Sequence, residues 1–168
     1  MVAEIKSNAD LYNLLQGVVN DFNAIKFAPL LKRGFQMLEE EHGVMFAEHR
    51  EPNGNPWAPI APITKARKKF AVHGREAILV DSGRLWRSLV LPESPDAIRT
   101  SVDGWPGNVS MGFGTNVPYS DFHMTGGTAV IDGNVVEVPA RPHIGMRERT
   151  LDMFTEHAAD YVLAELMQ

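Results

Sequence analysis

Four prolines, Pro52, Pro56, Pro59 and Pro62, crowd one short stretch, "REPNGNPWAPIAPITKARKK". Proline has no backbone donor and a locked φ, so this stretch holds neither a regular helix nor a central strand. It divides the chain into an N-terminal part and a C-terminal part. The stretch itself reads as an extended arm or long loop, partly polyproline-like. Loops of this length without structure of their own are often functional. Trp57, Ile60 and Ile63 give the arm apolar anchors, and a short basic helix from Thr64 to about Phe70, capped by Thr64, is predicted to come next.

Before the arm the pattern is helical. Leu11, Leu14, Leu15, Val18, Val19, Phe22 and Ile25 recur at spacings of three and four. Ser7 or Asn8 suits the cap and Asp10 the first turn. Pro29 predicts a break near Phe27-Ala28-Pro29. A second helix then carries Leu30, Leu31, Phe35, Leu38, Met45 and Phe46, with Gly34 and Gly43 as weak points in its continuity.

After the arm come short β candidates: "WRSLVL" (86–91), "AIRTSVD" (97–103) and "NVSMGFG" (108–114). "TAVIDGNVVEV" sets Asp132-Gly133 between two β-branched runs, a hairpin signal. A turn or single helical turn falls around Tyr119 to Met124. From about Met146 to Met167, Leu151, Phe154, Ala158, Tyr161, Val162 and Leu166 mark one face of a last helix. The predicted class is α+β: a mostly antiparallel sheet packed by N-terminal helices and a C-terminal helix, with the Pro-rich arm between. At 168 residues, 44% hydrophobic and 22% charged, the chain suits one globular domain. Its parts are 8–50 helical, 51–77 arm, 78–145 sheet region and 146–168 closing helix.

Several function classes fall away. No apolar run approaches the roughly 18 to 20 residues that span a bilayer, so no membrane partner is expected. "MVAEIKSNADL" has no apolar signal core, so synthesis in a cytoplasm is the expectation. With no cysteine, thiolate catalysis and Cys-ligated zinc are out. A net charge of −5 argues against bulk nucleic-acid binding but not against a local basic patch.

"ILVDSGRLWRSL" (78–89) is the one candidate nucleophile segment. A nucleophile elbow reads Gly-x-Ser-x-Gly, but here Gly83 comes directly after Ser82 and Val80 stands at the first Gly position. Asp81 or Ser82 capping a turn, with Gly83 supplying backbone freedom, is the better reading. A hydroxyl cap of this kind contributes about 0.5 to 2 kcal/mol. His42, His49, His73, His123, His143 and His157 form no HxxxH or HExxH pair, so neither metal nor cofactor is expected. Lys65, Arg67, Lys68 and Lys69 make a basic block, and Glu39 to Glu41 an acidic one. Two solvated faces, charge complementarity between copies of an assembly, and direct phosphate contact are the three readings, in that order. Trp57, in the arm, is the best candidate for an interface anchor.

Taken in order, four segments resemble one family. "PNGNPWAPIAPITKARKK" resembles its Gly, Trp, Pro, apolar, Thr, Lys signature. "ILVDSGRLWRSL" resembles its Asp/Thr-Ser/Thr-Gly-x-Leu-x-x-Ser segment. "GTNVPYSDFHMTGG" resembles its Gly-Thr-Asn-x-x-Tyr-Ala-x-x-His-Gln-x-Gly segment, and "VPARPHIGM" its Pro-Ala-Arg-Pro-Phe/Leu-aliphatic-Gly segment. The family is the phage virion morphogenesis family, the tail-completion type of contractile-tailed and Mu-like phages. Three departures stand out: Ser120 in place of Ala, Met124-Thr125 in place of the Gln, and His143 in place of Phe or Leu.

The resemblance implies a non-enzymatic structural protein in the virion, at the neck or head-proximal tail end. It implies a homo-oligomer, commonly a hexameric ring, that meets connector, tail-tube and sheath proteins while DNA passes through without specific binding. The expected interface residues are Trp57, Pro59, Ile60, Lys65, Arg67, Lys68, Tyr119, His123 and Arg141. Arg141 is expected to bond carboxylate or backbone groups and fix the entry to the last helix; a plain surface arginine is the alternative. Two rivals remain: a hydrolase using Ser82 with a histidine such as His123, and a nucleic-acid-binding accessory protein using Lys65 to Lys69.

Overall fold

The computed structural model of the chain describes residues 8–131 and 133–167. Ser7, the side chains of Asn8 and Asp10, and Asp132 of the hairpin turn lie outside the described residues. Helix α1 (Asn8–Ala24) leads to α2 (Ala28–Glu48), and the chain breaks between them where Pro29 requires it, with the proline in the first turn of α2. The first backbone N–H of α2 is taken by the Asp103 carboxylate at 2.9 Å, so a distant strand caps it. Helix α2 runs unbroken through both glycines. Gly34 is there for contact: a Cβ would meet Met111 Sδ at 2.9 Å and Phe154 at 3.0 Å. The absent side chain lets the last helix and a strand close on α2.

The Pro-rich segment lies on its own chain. A turn at 51–55 closes through Glu51 N–H to Asn55 O and Gly54 N–H to Glu51 O, and Arg50 pairs with Pro56. Trp57 then enters the core, 3% exposed, its indole edge-on to Phe46. Helix α3 spans Pro62–Arg67 and opens on Ala61, not on a Thr64 cap. Pro62, with φ already helical, sets the first turn in place of a side-chain cap. Its last turn is held from outside, since Arg75 donates to the carbonyls of Lys65, Ala66 and Lys68.

The expected strand at 86–91 is a helix, α4 (Arg84–Val90). Leu85, Ser88 and Leu89 are all buried, at the three- and four-residue spacing of one helix face. Gly83, at φ 76°, is the residue that turns the chain into it. A six-residue apolar run is too short for period alone to separate strand from helix.

The remaining elements keep the predicted order: β1 (Ala97–Gly104), β2 (Asn108–Thr115), α5 (Ser120–Thr125), β3 (Gly127–Ile131), β4 (Asn134–Val138) and α6 (Glu148–Leu166). The class is α+β, and all pairing is antiparallel. The strands form two separate ribbons, β1–β2 and β3–β4, and no single larger sheet is built from the described residues. In the first ribbon Ala97 faces Thr115 and Gly104 faces Asn108. The core gathers Phe46, Trp57, Ile78, Val80, Leu85, Leu89 and Val117 between α2, α4 and the arm.

Two ion pairs bind the layers, and both use the acidic block. Glu39 takes Arg99 Nε at 2.9 Å, while Arg99 also reaches the Ser88 and Leu89 carbonyls and stacks on Phe113. Glu41, 4% exposed, accepts from Arg147 and from Thr150 Oγ1 at 2.6 Å. Glu40 pairs with Arg33 on the surface. Glu39 and Glu41 are thus spent within the chain and are not open to a neighbouring copy's lysines.

Candidate functional site

The Pro-rich segment with α3, the stretch 79–84, and α5 enclose an open cavity of about 520 Å³. Ile60, Leu79 and Val80 give it an apolar floor, with Ile63 and Phe70 at its edge; Arg67, Lys68, Arg84 and Arg141 stand around it against one carboxylate, Asp81. Of the expected interface residues, Ile60, Arg67, Lys68, Tyr119, His123 and Arg141 meet here. Trp57, Pro59 and Lys65 do not line it.

Two of the four cations, Arg141 and Lys68, hold backbone. Arg141, 5% exposed, donates from Nε to Ala58 O at 2.9 Å and from Nη2 to Pro59 O at 3.0 Å. Residues more than 80 positions apart are joined this way, and the guanidinium pins the arm. Burial pulls its pKa down. Trp57 makes the companion contact, Nε1–H to Pro142 O at 2.7 Å. The arm is therefore clamped twice to residues 141–142, and Trp57 is occupied inside its own chain.

Lys68 also points inward. Its ammonium donates to the carbonyls of Ala77 and of Val80, the latter at 2.7 Å. Burial lowers its pKa, with Asp81 opposing. Lys65 is paired with Glu76. The basic run of four is thus not one open patch. Arg84 forms a bidentate pair with Asp96 at 2.6 and 2.7 Å.

The segment 81–83 behaves differently from a capped helix start. Gly83 occupies the cap position, and no side-chain cap bond is made there. Ser82 Oγ is 3.4 Å from the Arg84 N–H, at the limit of a hydrogen bond. The Asp81 carboxylate instead accepts the N–H groups of Phe70 and Ala71 at 3.0 and 2.9 Å. The Ala71 N–H bond is the main cause holding its pKa below the usual carboxylate range. Asp81 fixes the loop that carries Phe70 to the cavity edge, a role that sequence spacing does not reveal.

His123 stands between Tyr119 and Phe122, and its Nδ1 is buried without a hydrogen-bond partner. Desolvation lowers its pKa, so the ring is neutral near pH 7. Ser82 and His123 line the same cavity, and no hydrogen bond joins them. The Ser–His contact in this molecule is elsewhere. Ser120 Oγ is 2.9 Å from His143 Nε2, and His143 Nδ1 is 2.9 Å from Arg141 O. A carbonyl cannot donate, so Nδ1 carries the proton and the Ser120 hydroxyl donates to Nε2. Met124 Sδ accepts the His143 backbone N–H at 3.1 Å. Ser120 and His143 are buried and neither lines the cavity.

Of the three departures from the family pattern, His143 thus touches both of the others, Ser120 and Met124. Against the pattern that the resemblance implies, a hydroxyl stands for a methyl where an imidazole stands for an apolar side chain. The set is a polar plug under α5, self-satisfied and closed to substrate. Sequence showed each departure singly; their contact needed the fold.

Among the described residues no group of three His, Asp or Glu side chains could hold a metal ion, and no helix is long and apolar enough to cross a membrane. Neither the curated proteins nor the solved structures contain a match to the chain. Residues 8–163 match the model of the phage virion morphogenesis family, so the chain belongs to that family and has a structural or assembly role in the phage virion.

Proposed function

We propose that the protein completes the head-proximal end of the tail, as a ring-forming neck or tail-terminator subunit without catalysis. Its partners are further copies of itself, six in a closed ring, and the connector, tube and sheath proteins around it. DNA passes the ring without being gripped.

The observation that carries this reading is the apolar surface the single chain leaves open. On α1, Tyr12, Leu14, Leu15, Val18 and Val19 are each 42–66% exposed. Leu151 and Leu163 on α6 and the facing pair Val130 and Val135 on the second ribbon are exposed as well. Exposed apolar side chains gathered on one helix face, as on α1, mark an interaction site.

Native mass spectrometry of the purified chain, with imaging of the head–tail junction, tests the reading. The expected result is a closed oligomer and density for the chain at the junction. A strictly monomeric chain that is absent from purified virions overturns it. The nucleic-acid alternative predicts DNA affinity that falls steeply with salt and is abolished by neutralising Lys65, Arg67 and Lys69. With Lys68 buried, little binding is expected.

A further inference from the structure

We propose that α1 of one copy seats its apolar face in the 520 Å³ cavity of the next copy, so that each subunit is plug to one neighbour and socket to the other. The proposal rests on the ring reading and names the surfaces that make it.

The plug is set apart from its own chain. Among the described residues only the far end of α1 is clasped: Trp105 donates to Phe22 O at 3.0 Å and packs edge-on to the Phe22 ring, and just past the helix Tyr161 donates to Lys26 O. Among the residues of α1 whose burial is described, all are exposed but Gly17, which is half-buried. An isolated helix of 17 residues is marginal in water, and most helices are held by packing of their apolar face. The open face of α1 carries five apolar side chains and needs a cover. Its length, about 25 Å at 1.5 Å per residue, carries that face well beyond the clasp.

The socket suits it in lining and charge. The cavity floor is apolar, and Ile63 and Phe70 at its edge are exposed. Four cationic side chains and one carboxylate line it, whereas α1 contains Asp10 and Asp21 and no Lys, Arg or His. Arg84 is matched by Asp96, so Arg67, Lys68 and Arg141 against Asp81 leave the wall net positive, and an acidic helix with an apolar ridge meets it over an apolar floor, the helix-in-groove arrangement. Neither α1 nor the residues that clasp it line the cavity. Plug and socket are therefore different patches of one surface. Such a heterologous contact generates a ring when its rotation closes.

The chain has no cysteine, so introduced thiols report without background. The double variant Val18→Cys/Ile63→Cys, oxidised with copper phenanthroline, is expected to give a ladder of covalent oligomers up to the ring size. Each single variant should stay uncrosslinked, and a mixture of the two singles should stop at dimers. Val18→Glu, at a position 53% exposed, should leave the melting of the subunit unchanged and weaken assembly about tenfold or more, since each 1.4 kcal/mol is a factor of ten. Dimers from Val18→Cys alone would mean that α1 pairs with α1 and would overturn the proposal. So would a wild-type ring that survives Val18→Glu or yields no double-cysteine ladder, with the ring reading left standing. A wild-type chain that is monomeric in solution and in virions fails the ring reading itself.

Discussion

Replacing Trp57 separates two accounts of the Pro-rich segment. If the indole were an anchor for a neighbour, Trp57→Ala would leave the isolated subunit as stable as before. In the structure it is 3% exposed, packed edge-on to Phe46 with centroids 5.2 Å apart, and bonded to Pro142 O. Truncation of a buried aromatic costs about 3 to 5 kcal/mol, with the cavity included. The orphaned Pro142 carbonyl lies within that range or adds about 1 kcal/mol. Against a total of about 5 to 15 kcal/mol, this is a large fraction. With a urea slope of about 2 kcal/mol/M, the midpoint should fall by roughly 2 M. Trp57→Phe keeps a ring beside Phe46 and loses the indole N–H, so its loss should be about 1 to 2 kcal/mol. Urea unfolding monitored by far-UV circular dichroism, at a dilution where the chain is monomeric, measures both. Unchanged midpoints for both variants would refute the clamp and return Trp57 to the surface.

The polar plug should behave as one unit. Ser120→Ala and His143→Phe, each leaving a buried polar partner unpaired or removed, should each cost about 1 to 3 kcal/mol. The double variant, which restores the apolar pattern usual in the family, should lose less than their sum, a coupling of at least about 0.5 kcal/mol in thermal unfolding. Strict additivity would dissolve the plug. Acidification tests the same buried rings. The pKa values of His42, His123 and His143 are all lowered by burial, so the unfolded chain binds protons first. Stability is full above the unfolded histidine value of about 6.5 and falls as pH drops below it; a melting temperature flat from pH 7 to 5 would contradict the burial. At 81–82 the ranking is reversed from simple capping: Ser82→Ala should cost less than Asp81→Ala, about 0.5 against about 1 to 2 kcal/mol, because Asp81 accepts two backbone N–H groups while Ser82 is marginal to the Arg84 N–H and otherwise meets only the Tyr119 hydroxyl. An equal loss for both would restore the hydroxyl cap.

Much of the architecture is legible in the chain, because long periodic segments declare themselves. The helices before the arm, the closing helix and both ribbons fall close to where spacing and turn residues place them. The misread element, α4, is short and equally apolar in either period. Its buried trio of Leu85, Ser88 and Leu89 shows helical spacing only once Gly83 is known to start a turn. The arm is the instructive case. Its composition argues against a long helix or a central strand, and the segment holds only the bridge at Pro56 and the short α3, but composition does not say what the segment lies against. That depends on Arg141 and Trp57 meeting across more than 80 residues, and nothing local encodes the meeting. The cavity residues were gathered by motif resemblance, not by physics of their own. Lys68 shows why: a run of four cations looks like one patch, and only backbone geometry turns one of them inward.

The clamp between the arm and residues 141–142 also sets a schedule. Trp57 and its partner Pro142 are 85 residues apart. At synthesis rates of about 5 to 20 residues per second, the ribosome needs roughly 4 to 17 s to cover that distance. For that interval an indole and the core face of α2 have no lid. A chain built this way closes late, from its C-terminal side, and a truncation anywhere before Arg141 leaves the hydrophobic centre open instead of producing a smaller folded protein.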